Sequence, residues 1–269
     1  MQLIEQFCIS KREGTPCEDG WVLTPDYAAV VDGSTAKIPL APDQESPGHL
    51  AMRLVIDAIR QLPADATLDE VLVRLSAPLA RDTTYAATGY RPTCSAVIHS
   101  RHHEVVWIIG DCQCRINGQT YHPEKLVDQI LTDMRCRAVH HFLAQGLSPD
   151  AIRHDDKGRA FIYDALRDQL HFQNDPNPYN PYRYTVIDGQ PIDPATVTTL
   201  PVAGCESLIL ASDGYPVLHD SLNATETALH ELLLADPLCI EANPATKCLI
   251  EGNRSFDDRT YLRYRISAT

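Results

Sequence analysis

The sequence predicts an α+β fold in which antiparallel strands and amphipathic helices come in separate blocks along the chain. Short β-prone runs bounded by Gly, Pro and Asp occur near both ends and in the middle, and apolar stripes at helical spacing lie between them. No internal repeat or low-complexity linker divides the 269 residues, so a single domain, 1–269, is expected. A hydrophobic content of 44% is enough to bury a core at this length.

The first third reads as strands over Gln2 to Ser10, Gly20 to Thr24 and Tyr27 to Val31, separated as in an antiparallel meander. Ser46-Pro47 supplies an N-cap with Pro at the first helical position, and Leu50, Leu54, Val55, Ile59 and Leu62 follow on one face. Thr67 with Glu70 three residues on is a capping box, opening a second helix with Leu68, Val71, Leu72 and Leu75. Strands return at Thr93 to His99 and Glu104 to Ile109, and Asn117-Gly118 favours the positive φ of a hairpin turn. A long helix is expected from about Pro123, its stripe being Leu126, Ile130, Leu131, Met134, Val139, Phe142 and Leu143. The Asn/Pro-rich run from Asn174 to Pro181 suits neither regular structure and reads as an ordered loop or a flap. Further strands are expected at Tyr184 to Ile187, Val197 to Leu200, Ser207 to Ala211 and Thr260 to Ile266, with a helix near Thr225 to Leu234.

Composition excludes several classes. The formal charge is −13, from 36 acidic against 23 basic residues, with no Lys/Arg-rich run, so a nucleic-acid partner is not expected. No stretch offers the roughly 18 apolar residues of a membrane span, and residues 1–7 lack the pattern of a secretory leader, so the expected location is cytoplasmic and away from membranes. Nine scattered cysteines argue against a disulfide frame or a structural zinc site; Cys112 and Cys114 read as strand residues packed on one face. The adjacent pairs His102-His103 and His140-His141 diverge on a strand or helix, which is poor geometry for a shared metal.

The aspartates carry the functional signal. Val30-Val31 runs into Asp32-Gly33, Ile108-Ile109 into Gly110-Asp111, and Ala211-Ser212 into Asp213-Gly214, while Asp257-Asp258 precedes the last strand. A carboxylate at the lip of a buried strand is rigidly supported with its oxygens free, which is how hard divalent cations are gathered. The competing explanation is that Asp-Gly after a strand is a common turn, in which Gly supplies positive φ.

Taken in order, Glu18-Asp19, Val31-Asp32-Gly33, Thr93-Cys94-Ser95-Ala96-Val97, Ile109-Gly110-Asp111, Ala211-Ser212-Asp213-Gly214-Tyr215 and Phe256-Asp257-Asp258-Arg259-Thr260 resemble the successive motifs of the PP2C-type metal-dependent protein phosphatases. The resemblance runs from about Glu5 to Ile266, and the Asp257-Asp258 pair resembles bacterial members. It implies a four-layer α/β/β/α sandwich, two antiparallel sheets flanked by helices, with a metal cluster in a cleft at one end. It implies two Mn²⁺ or Mg²⁺ ions, with a third held loosely. Asp32 would bridge the two tight ions and the Gly33 carbonyl would join the second. Asp213 and Asp257 would bind the first, Glu18 and Asp19 would anchor the second, and Asp111 would support the third. A water shared by the tight ions would lose a proton and attack phosphorus in line. The implied substrate is phosphoserine or phosphothreonine in a protein.

Two features depart from that pattern. Ser34-Thr35-Ala36-Lys37 stands where many relatives carry His, leaving the leaving-group acid unassigned, and no Arg immediately precedes Glu18-Asp19. Arg12 and Lys37 are the candidates for holding substrate phosphate, a role that needs a cation in a shielded cleft. These departures keep open a silent relative that binds a phosphoprotein or regulator, and a phosphohydrolase of small metabolites.

Overall fold

A computed structural model describes residues 1–41 and 43–266. One five-stranded sheet has the order β2 (Asp19–Leu23), β3 (Tyr27–Gly33), β4 (Cys94–Ser100), β5 (Val105–Ile109) and β8 (Thr198–Pro201). The other runs β1 (Gln2–Ile9), β10 (Arg259–Arg265), β9 (Ser207–Ala211), β6 (Gln113–Ile116) and β7 (Gln119–Tyr121). Neighbouring strands pair antiparallel throughout both sheets.

Alternation along the strands builds the layers, because successive side chains leave a strand on opposite faces. Ala28, Val30, Val97, Leu208, Leu210, Leu262 and Tyr264 fill the space between the two sheets, together with Cys112 and Cys114. Ala29, Val31, Ala96 and Ile98 face the other way and pack on Val55, Ile59 and Leu75 from helices α1 (Pro47–Ile59) and α2 (Leu68–Arg81). Ile209, Ala211 and Tyr261 meet Leu229 and Leu233 of α7 (Leu222–Ala235) on the far side. The result is the α/β/β/α sandwich of two antiparallel sheets, with three apolar seams. Local signals set the helix starts. Ser46 Oγ accepts from His49 N at 3.2 Å, and Thr67 with Glu70 closes its capping box.

Three expectations are corrected, and one stretch left unassigned by the sequence takes shape. β1 does not join the meander: it pairs with β10 from the other end of the chain, placing the N-terminus in the second sheet. Tyr184 to Ile187 forms isolated bridges, not a strand, because the Asn174 side-chain amide takes the backbone of Val186, donating to its carbonyl at 2.9 Å and accepting from its N–H at 3.2 Å. The chain after α3 (Leu126–Ala144) folds into three short helices, α4 (Pro149–His154), α5 (Lys157–Phe161) and α6 (Tyr163–Asp168), too short for a readable period. Finally, α3 buries Val127, Leu131, Arg135, Ala138 and Val139, while Leu126, Ile130 and Met134 remain about two-fifths exposed. Arg135 hides that face from a hydrophobic reading. It is wholly buried, paired with Asp156 at 2.9 Å and donating to the carbonyls of Leu238, Cys239 and Ala245.

Candidate metal centre

Strand register brings the first acids together. Asp19 at the start of β2 and Asp32 near the end of β3 are directly paired, and Asp32 pairs on its other side with Ser95. Two carboxylates opposite one another in a sheet repel unless a cation or a proton lies between them. Asp19 is buried, and its Oδ2 has no hydrogen-bond partner among the described residues.

The remaining acids arrive from turns at the same end of the sandwich. Asp111 follows β5 after Gly110, whose φ of +91° only glycine adopts readily. Asp213 follows β9, and Asp257 precedes β10. Asp32, Asp111, Asp213 and Asp257 share a cleft of about 550 Å³. The Asp-Gly pairs are not positive-φ turns, since neither Gly33 nor Gly214 is left-handed. A Cβ on Gly33 would lie 2.3 Å from the Gly48 carbonyl oxygen, and one on Gly214 would lie 2.0 Å from that of Asp258. Glycine is required there because the backbone on the floor of the cleft is closely approached by its neighbours.

Charge crowding shows in the carboxyls. Burial first, then the charges of Asp19, Asp213, Asp257 and Asp111, pushes Asp32 well above the ordinary carboxylate range. Burial and the charges of Asp111 and Asp257 push Asp213 up to about 7, and it shares a hydrogen bond with Asp32. Burial likewise raises Asp19, aided by the charges of Asp257 and Asp258 and opposed by a hydrogen bond from Ser212. Two acids go the other way. Burial opposes ionisation of Asp257, but Lys247 and Lys11 outweigh it and hold this carboxyl far below its usual range. Asp111 is held near about 2 against burial by Lys125 and by a hydrogen bond from Ser95.

The other expected residues fall as follows. Glu18 is buried behind the floor: its Oε1 accepts from Ser46 Oγ at 2.6 Å, and its carbonyl accepts from Gly33 N at 3.0 Å. Arg12 lies on an exposed turn, bridged to Asn253 and outside the cleft lining. Its neighbour Lys11 points inward instead, with Nζ 3.2 Å from Asp257 and 3.8 Å from Glu18. Lys37 is buried in the cleft wall, bonded to Ser34 Oγ at 3.3 Å. Among the described residues no carboxylate stands within salt-bridge reach of it. Burial, and then the charge of Arg159, push its ammonium down to about 8. Asp258 is an anchor: its two oxygens accept from the backbone N–H groups of Lys11 at 2.9 Å and Glu18 at 2.6 Å.

Sequence reading missed Lys11, Lys125, Lys247 and Arg159, all set around the acids. No motif signals them: Lys125 and Lys247 stand in loops 14 and 10 residues from Asp111 and Asp257, Lys11 meets Asp257 across 246 residues, and Arg159 comes from the short helix α5. Their presence matters for ion binding. Among the described residues no three His, Cys, Asp or Glu side chains stand ready-made around a metal position, and lysine ammoniums occupy oxygens of Asp257 and Asp111. The donor set still fits a hard divalent cation, being all oxygen, with an orphaned Asp19 oxygen and an Asp32 that shares a hydrogen bond with Asp213.

No family model matches the chain, and no curated protein matches it. Among solved structures it is similar to the serine/threonine phosphatase Stp1 of Staphylococcus aureus, at 12% identity over 100% of this chain and 98% of that one, TM-score 0.47. It is similar also to the catalytic domain of the serine/threonine protein phosphatase PstP in complex with two manganese ions, at 15% identity over 99% and 100%, TM-score 0.47. RsbX in complex with magnesium is a third, at 10% identity over 99% of each chain, TM-score 0.47. The likeness is one of chain layout.

Proposed function

We propose that residues 1–269 form one PP2C-type domain, a cytoplasmic phosphatase that hydrolyses phosphoserine and phosphothreonine esters in proteins with the aid of Mn²⁺ or Mg²⁺. The observation that carries this reading is the meeting of Asp32 with Asp111, Asp213 and Asp257 in one cleft, with Asp19 paired to Asp32 across β2 and β3; burial and the charges of these acids raise Asp32. Nothing but a cation relieves such crowding while keeping every carboxylate ionised. Asp32, Asp213 and Asp257 would hold the first ion, and Asp32, the Gly33 carbonyl, Glu18 and Asp19 the second, with Asp111 toward a looser third.

Bound there, such ions supply an acidified water and neutralise phosphoryl charge. The chain's own groups do the rest. Lys37, buried and, among the described residues, free of carboxylate partners, offers a point charge to the substrate phosphate from the cleft wall, and Arg159 adds a second cation beside it. Lys11 keeps Asp257 ionised and oriented. The test is hydrolysis of a chromogenic phosphate ester with and without Mn²⁺. Turnover is expected to need the ion and to fall by about 100-fold or more in Asp32→Asn, the loss typical of removing one preorganised electrostatic group. Equal rates in the two proteins would remove Asp32 from the site.

A second reading is a silent binding protein, favoured by the ammoniums of Lys247 and Lys125, which sit on Asp257 and Asp111 as cations already in place. Phosphopeptide binding through Lys37 without turnover at any Mn²⁺ concentration would select it.

A further inference from the structure

Two thiols touch where β1 meets the loop that follows it, Cys8 on the strand and Cys17 in the loop before β2. Cys8 Sγ lies 3.7 Å from Cys17 Sγ and 3.5 Å from the Asp19 carbonyl oxygen. Both cysteines are half-buried, whereas Cys94, Cys112, Cys114, Cys205, Cys239 and Cys248 are buried. The sulfurs of Cys136 and Cys248 meet backbone carbonyls instead of another sulfur.

We propose that Cys8 and Cys17 form a reversible disulfide under peroxide, and that this bond is a staple on the segment bearing Glu18 and Asp19. The Cys8 sulfur attacks one oxygen of a hydroperoxide, the O–O bond breaks, and Cys8 becomes a sulfenic acid while the departing oxygen takes up the thiol proton. The Cys17 sulfur then attacks the Cys8 sulfur, the S–O bond breaks, and hydroxide leaves as water with the Cys17 proton. Both sulfurs are oxidised and the peroxide is reduced. A thiol such as dithiothreitol reverses the bond by exchange.

The anchoring of the loop says what closure would move. β1 is fixed by its pairing to β10, with Cys8 opposite Thr260. Cys17 is held through its carbonyl, 2.8 Å from His49 Nδ1 at the start of α1, and the next residue donates to Asp258. Drawing the sulfurs from 3.7 Å to the roughly 2 Å of a covalent bond strains that second anchor, because the strand cannot follow. Glu18 and Asp19 come next in the chain, so their carboxylates shift relative to Asp32. This last step rests on the metal reading above; formation of the bond does not.

The experiment treats the intact protein with hydrogen peroxide, blocks free thiols with iodoacetamide, and maps peptides by mass spectrometry. A Cys8–Cys17 cross-linked peptide is expected in the wild type, absent from Cys8→Ser and Cys17→Ser and removed by dithiothreitol. Alkylation of both thiols after peroxide, or cross-links to other cysteines only, would overturn the proposal. Should a serine variant fail to fold, the reduced and oxidised wild type suffice. Mn²⁺ titration of those two forms then reads the staple: oxidised protein is expected to bind about tenfold more weakly, the usual cost of disturbing groups that orient ligands. Equal affinity would overturn the coupling to Glu18 and Asp19. Absence of Mn²⁺ binding in both forms would sink the metal reading and the coupling with it, leaving the peptide map to decide the disulfide.

Discussion

At the scale of single residues, the candidate site is a competition between two kinds of cation. Asp257 is bonded by Lys247 and Lys11, and Asp111 by Lys125, so an ion entering the cleft must displace or outcompete ammonium groups already ionising those acids. Replacing Lys247 by Met removes one such competitor while keeping its aliphatic bulk. Mn²⁺ affinity, read by isothermal titration, is expected to tighten by about tenfold, since the Asp257 oxygen freed of Lys247, with Lys11 still on the other, recovers an attraction to a divalent ion worth a kcal/mol or more even when well screened. Weaker binding would make Lys247 a support for the site rather than a competitor. This part of the site was closed to sequence reading. The acids advertise themselves by following or preceding apolar strands, as Asp32 follows Val30-Val31, but Lys125 and Lys247 lie in chain with no pattern tying them to Asp111 or Asp257. Sequence reading offers Arg12 as a basic partner even though it stands further before Glu18 than the resemblance implies, and the inward position belongs to its neighbour Lys11.

At the scale of elements, β4 carries a histidine into the seam between the sheets. His99 is buried, stacks on Tyr264 of β10 with ring centroids 5.7 Å apart, and leaves Nδ1 without a partner among the described residues. Burial, with smaller contributions from the N-terminal ammonium and Arg101, pushes it down to about 4 from 6.5. The folded state therefore keeps His99 neutral where the unfolded chain takes up a proton. Its contribution is fully present above pH 6.5 and is lost as pH falls toward 4, amounting to about 3 kcal/mol at the bottom of that window. Urea unfolding midpoints are expected to drop less between pH 7 and 4.5 in His99→Leu than in the wild type; parallel curves would mean that His99 is solvated in the fold.

Most strands were legible as apolar runs bounded by turn residues because both of their faces are buried: Ala28 and Val30 face one seam, Ala29 and Val31 the next. The illegible elements share a physical cause. Tyr184 to Ile187 has strand composition, but the Asn174 amide takes the hydrogen bonds of Val186 that a neighbouring strand would have used. In α3 a buried arginine shares the inner face with Leu131 and Val139, so the Leu126, Ile130 and Met134 part of the expected stripe lies outward. β1 finds its partner at the opposite end of the chain, which no local pattern specifies.

At the scale of the whole molecule, the acids straddle the sandwich. Asp19, Asp32 and Asp111 come from the sheet containing β3, while Asp213 and Asp257 flank β9 and β10 of the other. A cation among them would tie one sheet to the other at the end where their charges now repel, in a chain carrying a net charge of −13. Binding to the folded state alone then appears as stability, about 2.7 kcal/mol at a hundredfold excess over the dissociation constant. The most direct measurement is differential scanning calorimetry of wild type and Asp213→Asn with and without excess Mn²⁺. The wild-type Tm is expected to rise by at least about 5 °C and saturate, with most of that rise lost in Asp213→Asn. A wild type indifferent to Mn²⁺, or an equal rise in both proteins, would contradict a cation site between the sheets.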